Sequence, residues 1–235
     1  MRCHAGMDGC RGGWVVAIAT DGADGGGTLR IDVARDFAEA LAFAASASRI
    51  AVDMPIGLLD VPQPGGRACD RAARAVLGRQ GSSVFSPPAR PALDASDHRD
   101  AQRRQGAGLS IQTWNIVPRI REVDAAIDAS IQPRVIEAHP ELAFRVLAGA
   151  PLERKSTADG FAERVALLRS VFGAALPDLV AVRRAIGPSV LKLDDLADAC
   201  VLALVARRAD EGSACRLPDG DPPVDVRGLR MEIWY

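Results

Sequence analysis

Three short apolar runs fill the first 33 residues, and they constrain this chain more than any other feature. Residues 3 to 8, "WVVAIAT" at 14 to 20 and "TLRIDV" at 28 to 33 are separated by "GCRGG" and by "DGADGGG". In the third run Leu29, Ile31 and Val33 alternate with Thr28, Arg30 and Asp32, the period of a half-buried strand. Glycine supplies positive φ in the two intervening turns, so the pattern predicts a three-stranded meander. Asp36 and Glu39 have capping-box spacing before an alanine-rich helix to about Ser48. "RIAVDMPIGL" then reads as a buried strand stopped by Pro55, which makes the order βββαβ.

The chain changes character between about 60 and 130. "VPQPGG" breaks structure, a short helix follows near 66 to 77, and "GSSVFSPPARPAL" is irregular because its prolines lack donors and restrict the residues before them. Helices are expected at 95 to 105 and at 110 to 129, the second bent at Pro118. This reads as a helical cap inserted into one domain spanning 1–235. The core resumes with "RVIEAH" as a strand. Pro140 opens a helix that Gly149 stops, and further helices span 159 to 173 and Asp194 to Asp210 before a final edge strand, "GLRMEIWY".

With 48% apolar and 25% charged residues in 235, the composition is that of a packed globular chain rather than a disordered one. The longest clean apolar run, "ACVLALVA" at 199 to 206, is too short to cross a bilayer, and the first residues lack a signal-peptide layout. A cytoplasmic location without a membrane partner is expected. Five scattered cysteines with no CxxC pair suggest reduced thiols rather than a disulfide framework or a zinc site. Net charge is −1, yet the segment from Arg67 to Arg121 holds ten arginines, no lysine and four acids, a local +6. That asymmetry fits an anionic partner. It fits equally well a solvated helical surface in an arginine-rich chain, since only two of the 29 basic residues are lysine.

The acids fall at suggestive places. Asp8 ends the first expected strand, Asp53 the fourth, and Glu137 lies near the end of the fifth, while Asp194, Asp195 and Asp198 crowd the start of the last long helix. Taken singly, such acids serve turns and helix caps. Capping gives no reason for Asp53 inside "IAVDMPI" or Glu137 inside "VIEAH", and neighbouring buried carboxylates need neutralisation. Mg2+ or Mn2+ is the natural neutraliser for an all-oxygen set. Four carboxylates suit two ions roughly 3.5–4 Å apart that stabilise the attacking and leaving oxygens of phosphoryl transfer. His139, two residues after Glu137, is placed to move protons if the strand continues, or to sit hydrogen-bonded at the helix start. In the 60 to 130 segment Ser82, Ser83, Arg90, Ser110, Gln112, Trp114 and Asn115 offer groups that hold phosphate or stack a base. Arg90, Ser110, Gln112 and Trp114 are the candidate substrate contacts, with packing of the cap the competing role for Trp114.

In order and over nearly the whole chain, "GMDGCRGGW", "AVDMPIGL", "RACDRAAR", "SSVFSPPARPAL", "LSIQTWNIVPRIREVD", "EAHPELAF", "GFAER" and "DDLADA" resemble the prokaryotic domain of unknown function 429 family. Its members are regarded as ribonuclease-H-like nucleases. The resemblance implies an α/β fold, a ribonuclease-H-like mixed five-stranded sheet of order 3-2-1-4-5 flanked by helices. The related Holliday-junction resolvases carry an acid on strand one, an acid on strand four and a DxxDA helix; the matching positions here are Asp8, Asp53, Asp195 and Asp198. Strand four carries Asp in place of the resolvases' Glu, and Glu137 with His139 belongs to the smaller family's own pattern. The expectation is a metal-dependent nuclease with Asp8 bridging two ions, acting on a nucleic acid or nucleotide. Two alternatives stand beside it: an actin-like-fold ATP-binding phosphotransferase, and a non-catalytic nucleic-acid- or nucleotide-binding module. The oligomeric state, a homodimer included, is left open.

Overall fold

A computed structural model of the chain describes residues 2–22 and 27–235; the central part of the glycine-rich turn expected at 21 to 27 lies outside them. The described residues divide into two compact units. The first comprises Met1–Asp53, Arg134–Cys215 and Trp234–Tyr235, and the second Met54–Pro133 and Arg216–Ile233. The segment read as an insertion of about 60 to 130 thus forms most of the second unit, which begins somewhat earlier and also takes in a later stretch.

The first unit is built on a five-stranded sheet of order β3-β2-β1-β4-β5. β1 (Cys3–Cys10), β2 (Gly13–Thr20) and β3 (Thr28–Ala34) form the antiparallel meander. β4 (Arg49–Val52) pairs parallel with β1, and β5 (Val135–Glu137) pairs parallel with β4. Order and directions are those expected of a ribonuclease-H-like sheet. A two-residue turn at Arg11–Gly12 joins β1 to β2 and delivers Gly13 with φ 131°, where a β-carbon would strike the Ala34 carbonyl oxygen at 2.1 Å.

α1 (Phe37–Phe43) starts as expected, with the Asp36 carboxylate accepting from the Glu39 amide at 2.8 Å. It stops five residues sooner than the alanine run suggests. Arg134 explains the difference: its guanidinium donates to the carbonyls of Ala44, Ala45 and Ala47, so these oxygens are satisfied without further helix. α1 covers one face of the sheet through Phe37, whose ring lies tilted against Trp14 with the centroids 5.0 Å apart.

The opposite face belongs to α8 (Leu193–Asp210), which lies against β1, β2 and β4 and is itself covered by α5 (Pro140–Ala148), α6 (Ala158–Phe172) and α7 (Leu179–Ile186). Wedged between sheet and helices, α8 is apolar nearly all round, and every residue from Leu196 to Ala206 is buried. α7 is an element the sequence reading omits. Pro140 does occupy the first turn of α5, and Gly149 ends it in the left-handed conformation. β6 (Arg216–Leu217) and β7 (Ile233–Trp234) form a separate two-stranded sheet, and the expected edge strand of the tail meets the main sheet at the bridge of Trp234 to Ala138.

The second unit contains α2 (Ala68–Leu77), two 3-10 turns, α3 (His98–Gln105) and α4 (Ile111–Ala126), with Pro118 inside α4. Its arginines act largely within the unit. Arg67, buried, grips Asp70 at 2.7 Å and donates to the carbonyls of Ile56 and Gly57. Arg74 donates to the Val84 carbonyl, Arg121 to that of Ala95, and Arg103 and Arg104 pair with Asp100. These bonds account for much of the local excess of arginine as internal stapling.

Candidate active site

Strand parity decides which acids meet. Ala51 of β4 and Ile136 of β5 pack in the cluster that surrounds α8, so Asp53, two residues beyond Ala51, follows the same face. On β1, Gly6 lies under α8, and Asp8, two residues on, shares that face. Glu137 pairs with Val52, one step out of phase, and so points to the other side of the sheet. β5 ends at Glu137, and His139 becomes the residue that precedes α5 rather than a continuation of the strand. The sheet and α8 therefore bring Asp8, Asp53, Asp195 and Asp198 into one electrostatic cluster, while strand pairing turns Glu137 to the other face of the sheet.

Each carboxyl in this cluster resists ionisation. Burial raises Asp8 well above the usual carboxylate range, and the charges of Asp53, Asp198 and Asp195 raise it further. Burial pushes Asp53 up to about 6, against the pull of Lys155 and with a further push from Glu141. Asp198, 1% exposed, goes up to about 7 for the same set of reasons, with Asp53 added. Asp195 is raised by burial and by Asp194, while its bond from the Lys192 amide at 2.8 Å holds it back.

Two residues not anticipated complete the site. Lys155 places Nζ 2.7 Å from Asp198 Oδ2 and 4.0 Å from Asp194 Oδ2. Burial disfavours its charged form, but Asp198, Asp8 and Asp53 together hold the ammonium above its ordinary value. Glu141, in the first turn of α5, accepts at both carboxylate oxygens, at 2.9 and 2.8 Å, from Nη2 of the buried Arg164, whose guanidinium lies 5.4 Å from the Phe144 ring centroid. A cue to Lys155 existed in the composition: of only two lysines, Lys192 precedes the acid-bearing helix and the other meets it.

The donors fit a hard divalent cation in chemistry, since all are carboxylate oxygens and Asp198 Oδ1 is buried without a hydrogen-bond partner. As they stand, no three His, Cys, Asp or Glu side chains among the described residues close around a common ion position. Lys155 already takes the other oxygen of Asp198.

The candidate substrate contacts belong to the second unit. Arg90 donates through Nη1 to both oxygens of Asp124 at 3.0 and 2.9 Å and pairs with Asp225. Ser110 caps α4, accepting from the Thr113 amide at 3.0 Å, and lines a cavity of about 650 Å3 with Arg74, Ser86, Gln105 and Thr113. Trp114 packs on Ala92, Ala95, Ala101 and Leu109, with Arg121 5.8 Å from its ring centroid. Gln112 is exposed on the first turn of α4.

Sheet order and buried acids define the class: an α/β protein with ribonuclease-H-like topology and a carboxylate cluster at the ends of its central parallel strands. The model for the family described as "Protein of unknown function (DUF429)" matches residues 6–222, and the chain belongs to that family. No curated protein and no solved structure matches it.

Proposed function

We propose that this protein is a divalent-metal-dependent hydrolase of phosphodiester bonds in a nucleic acid or nucleotide. One observation carries the reading: buried Asp8 and Asp198 and half-buried Asp53, from three parts of the chain far apart in sequence, lie within electrostatic reach of one another, and Asp198 keeps an oxygen without a partner. Isolated buried carboxylates are costly, and evolution of a purely structural core would replace them with apolar groups of similar size.

Asp8, Asp53, Asp195 and Asp198 would hold the metal. When bound, Mg2+ or Mn2+ supplies the positive charge that lowers the pKa of water and offsets charge on the phosphate. The protein's own share is positioning and proton handling. In the ion-free site Asp53 sits at about 6 and Asp198 at about 7, so filling the site with a cation would release protons close to neutrality. Burial raises both, and Glu141, fixed by Arg164, adds a smaller push in the same direction.

The test is a panel of labelled RNA, DNA, hybrids, junctions and cyclic dinucleotides incubated with Mn2+, with wild type beside Asp8→Asn and Asp198→Asn. Product formed by wild type and lost in both variants is expected. No product from any substrate, or product indifferent to both substitutions, refutes hydrolysis at this site.

A further inference from the structure

Lys155 reaches the acids from outside the regular elements. It lies in the segment joining α5 to α6, and the backbone there is tied down. The Glu153 amide donates to Glu163 at 2.9 Å, Arg164 donates to the Glu153 carbonyl at 3.0 Å, and Thr157 Oγ1 donates to the Arg154 carbonyl at 2.8 Å. Gly160 makes room for this turn, since a β-carbon there would meet the Arg154 carbonyl oxygen at 2.1 Å. The side chain is held differently. It is 41% exposed, and the bonds that hold it are those of its ammonium end, whereas the side chain of Asp198 is 2% exposed.

Such an arrangement neutralises the cluster incompletely. One ammonium pulls on each of Asp8, Asp53, Asp195 and Asp198, yet it satisfies a single oxygen of Asp198 and leaves Oδ1 buried and unpaired. A divalent cation brings twice the charge and accepts several oxygens at once. With its Nζ 2.7 Å from Asp198 Oδ2, Lys155 occupies one of the two oxygens an ion would draw on, and each cation weakens the hold of the carboxylate on the other. The four-carbon stem of Lys155 can rotate outward through its exposed side while the pinned backbone stays in place.

We infer that the Lys155 ammonium and a divalent cation compete for Asp198, with Lys155 serving as a tethered counter-ion that leaves the carboxylate when the ion binds. This rests on the metal-dependent reading above. Lys155 keeps the ion-free site folded and sets how much free cation is needed to fill it. The apparent affinity is reduced by the fraction of molecules in which the lysine holds the carboxylate.

Calorimetric titration of Mn2+ tests this on wild type, Lys155→Met, Lys192→Met and the double variant Lys155→Met/Asp198→Asn, with circular dichroism in chelator to confirm folding and Lys155→Gln in place of Lys155→Met should the latter not fold. If the pair holds about nine molecules in ten, Lys155→Met binds Mn2+ about tenfold tighter than wild type. Lys192→Met removes an equal charge from the same neighbourhood without touching Asp198 and shifts affinity by less than about twofold. The double variant loses the gain. Wild type that binds Mn2+ while Lys155→Met binds no tighter, or a Lys192→Met gain of equal size, overturns the competition and leaves the metal reading standing. If neither wild type nor Lys155→Met binds Mn2+, both fall together.

Discussion

The backbone of Ala199 in α8 lies directly on Gly6 of β1: a β-carbon on Gly6 would fall 2.1 Å from the Ala199 carbonyl oxygen and 2.3 Å from the Ala203 amide nitrogen. That approach sets the register between helix and strand. His4, Gly6 and Asp8 share one face of β1, and they meet in turn Asp210 at the end of α8, the backbone at its middle, and Asp198 near its start. Gly6→Ala forces the two elements apart. We expect a loss of at least about 1–3 kcal/mol, typical of overpacking, read from urea unfolding. Mn2+ binding should weaken in parallel, because the same movement draws Asp198 from Asp8. A variant of wild-type stability would show that the helix does not rest on this glycine.

The Glu141–Arg164 pair gives a second prediction. Arg164 is 1% exposed and its fork is spent on Glu141 and on the carbonyls of Glu153 and Gly160. Arg164→Met leaves a buried carboxylate unpaired and should cost about 3–5 kcal/mol. The double variant Arg164→Met/Glu141→Gln should recover part of that loss. Equal stabilities for single and double variants, measured by urea midpoint, would count against a coupled pair.

The cluster also fixes how ion-free stability depends on pH. Asp8, Asp53 and Asp198 bind protons more tightly folded than unfolded, so the folded chain carries the extra protons between about pH 4 and 7. Their contribution is fully present below the ordinary carboxylate value and drains away as pH rises through about 6 and about 7. In chelator the wild-type urea midpoint should fall from pH 5 to pH 8, with a smaller fall in Asp198→Asn. Mn2+ at about 100 times its Kd should restore about 2.7 kcal/mol at pH 8. A midpoint that climbs over this range and ignores Asp198→Asn would mean that the acids are already ionised.

Asp210 carries the opposite sign. The bond from His4 Nε2 at 3.1 Å, joined by Ser48 Oγ at 3.1 Å and the nearby Arg49, draws its carboxyl below the ordinary value. Stability from this group is present above the ordinary carboxylate value and lost as pH falls through the depressed one. Asp210→Ala removes the acceptor from a buried His4 and should cost about 1–3 kcal/mol at pH 6. Toward pH 3 the difference from wild type should shrink, a trend that melting curves across the acid range would reveal or deny.

How legible all this was in the sequence depends on distance along the chain. β1 to β3 show in the alternation of residues such as Leu29, Ile31 and Val33, and in the glycines between the runs, because local sterics set both. α7 escapes although Asp178 caps it and Gly187 ends it, since eight residues make little more than two turns and show too little periodicity. Asp8, Asp53 and Asp198 are recognisable because each stands at the end of a strand or the start of a helix. Glu137 looks equivalent but lies one residue out of phase, a difference of face that only strand pairing reveals. Lys155 and Glu141 owe their roles to a tertiary approach, of α8 in one case and of Arg164 in the other.

The contact of Gly6 with Ala199 has a consequence for the making of the protein. The first strand leaves the ribosome long before the helix that must lie on it, and until that helix docks, the acid at position 8 has no companion at position 198. Until α8 has docked, a nascent chain therefore carries these carboxylates apart from one another. The assembled cluster comes into being only with the finished tertiary structure.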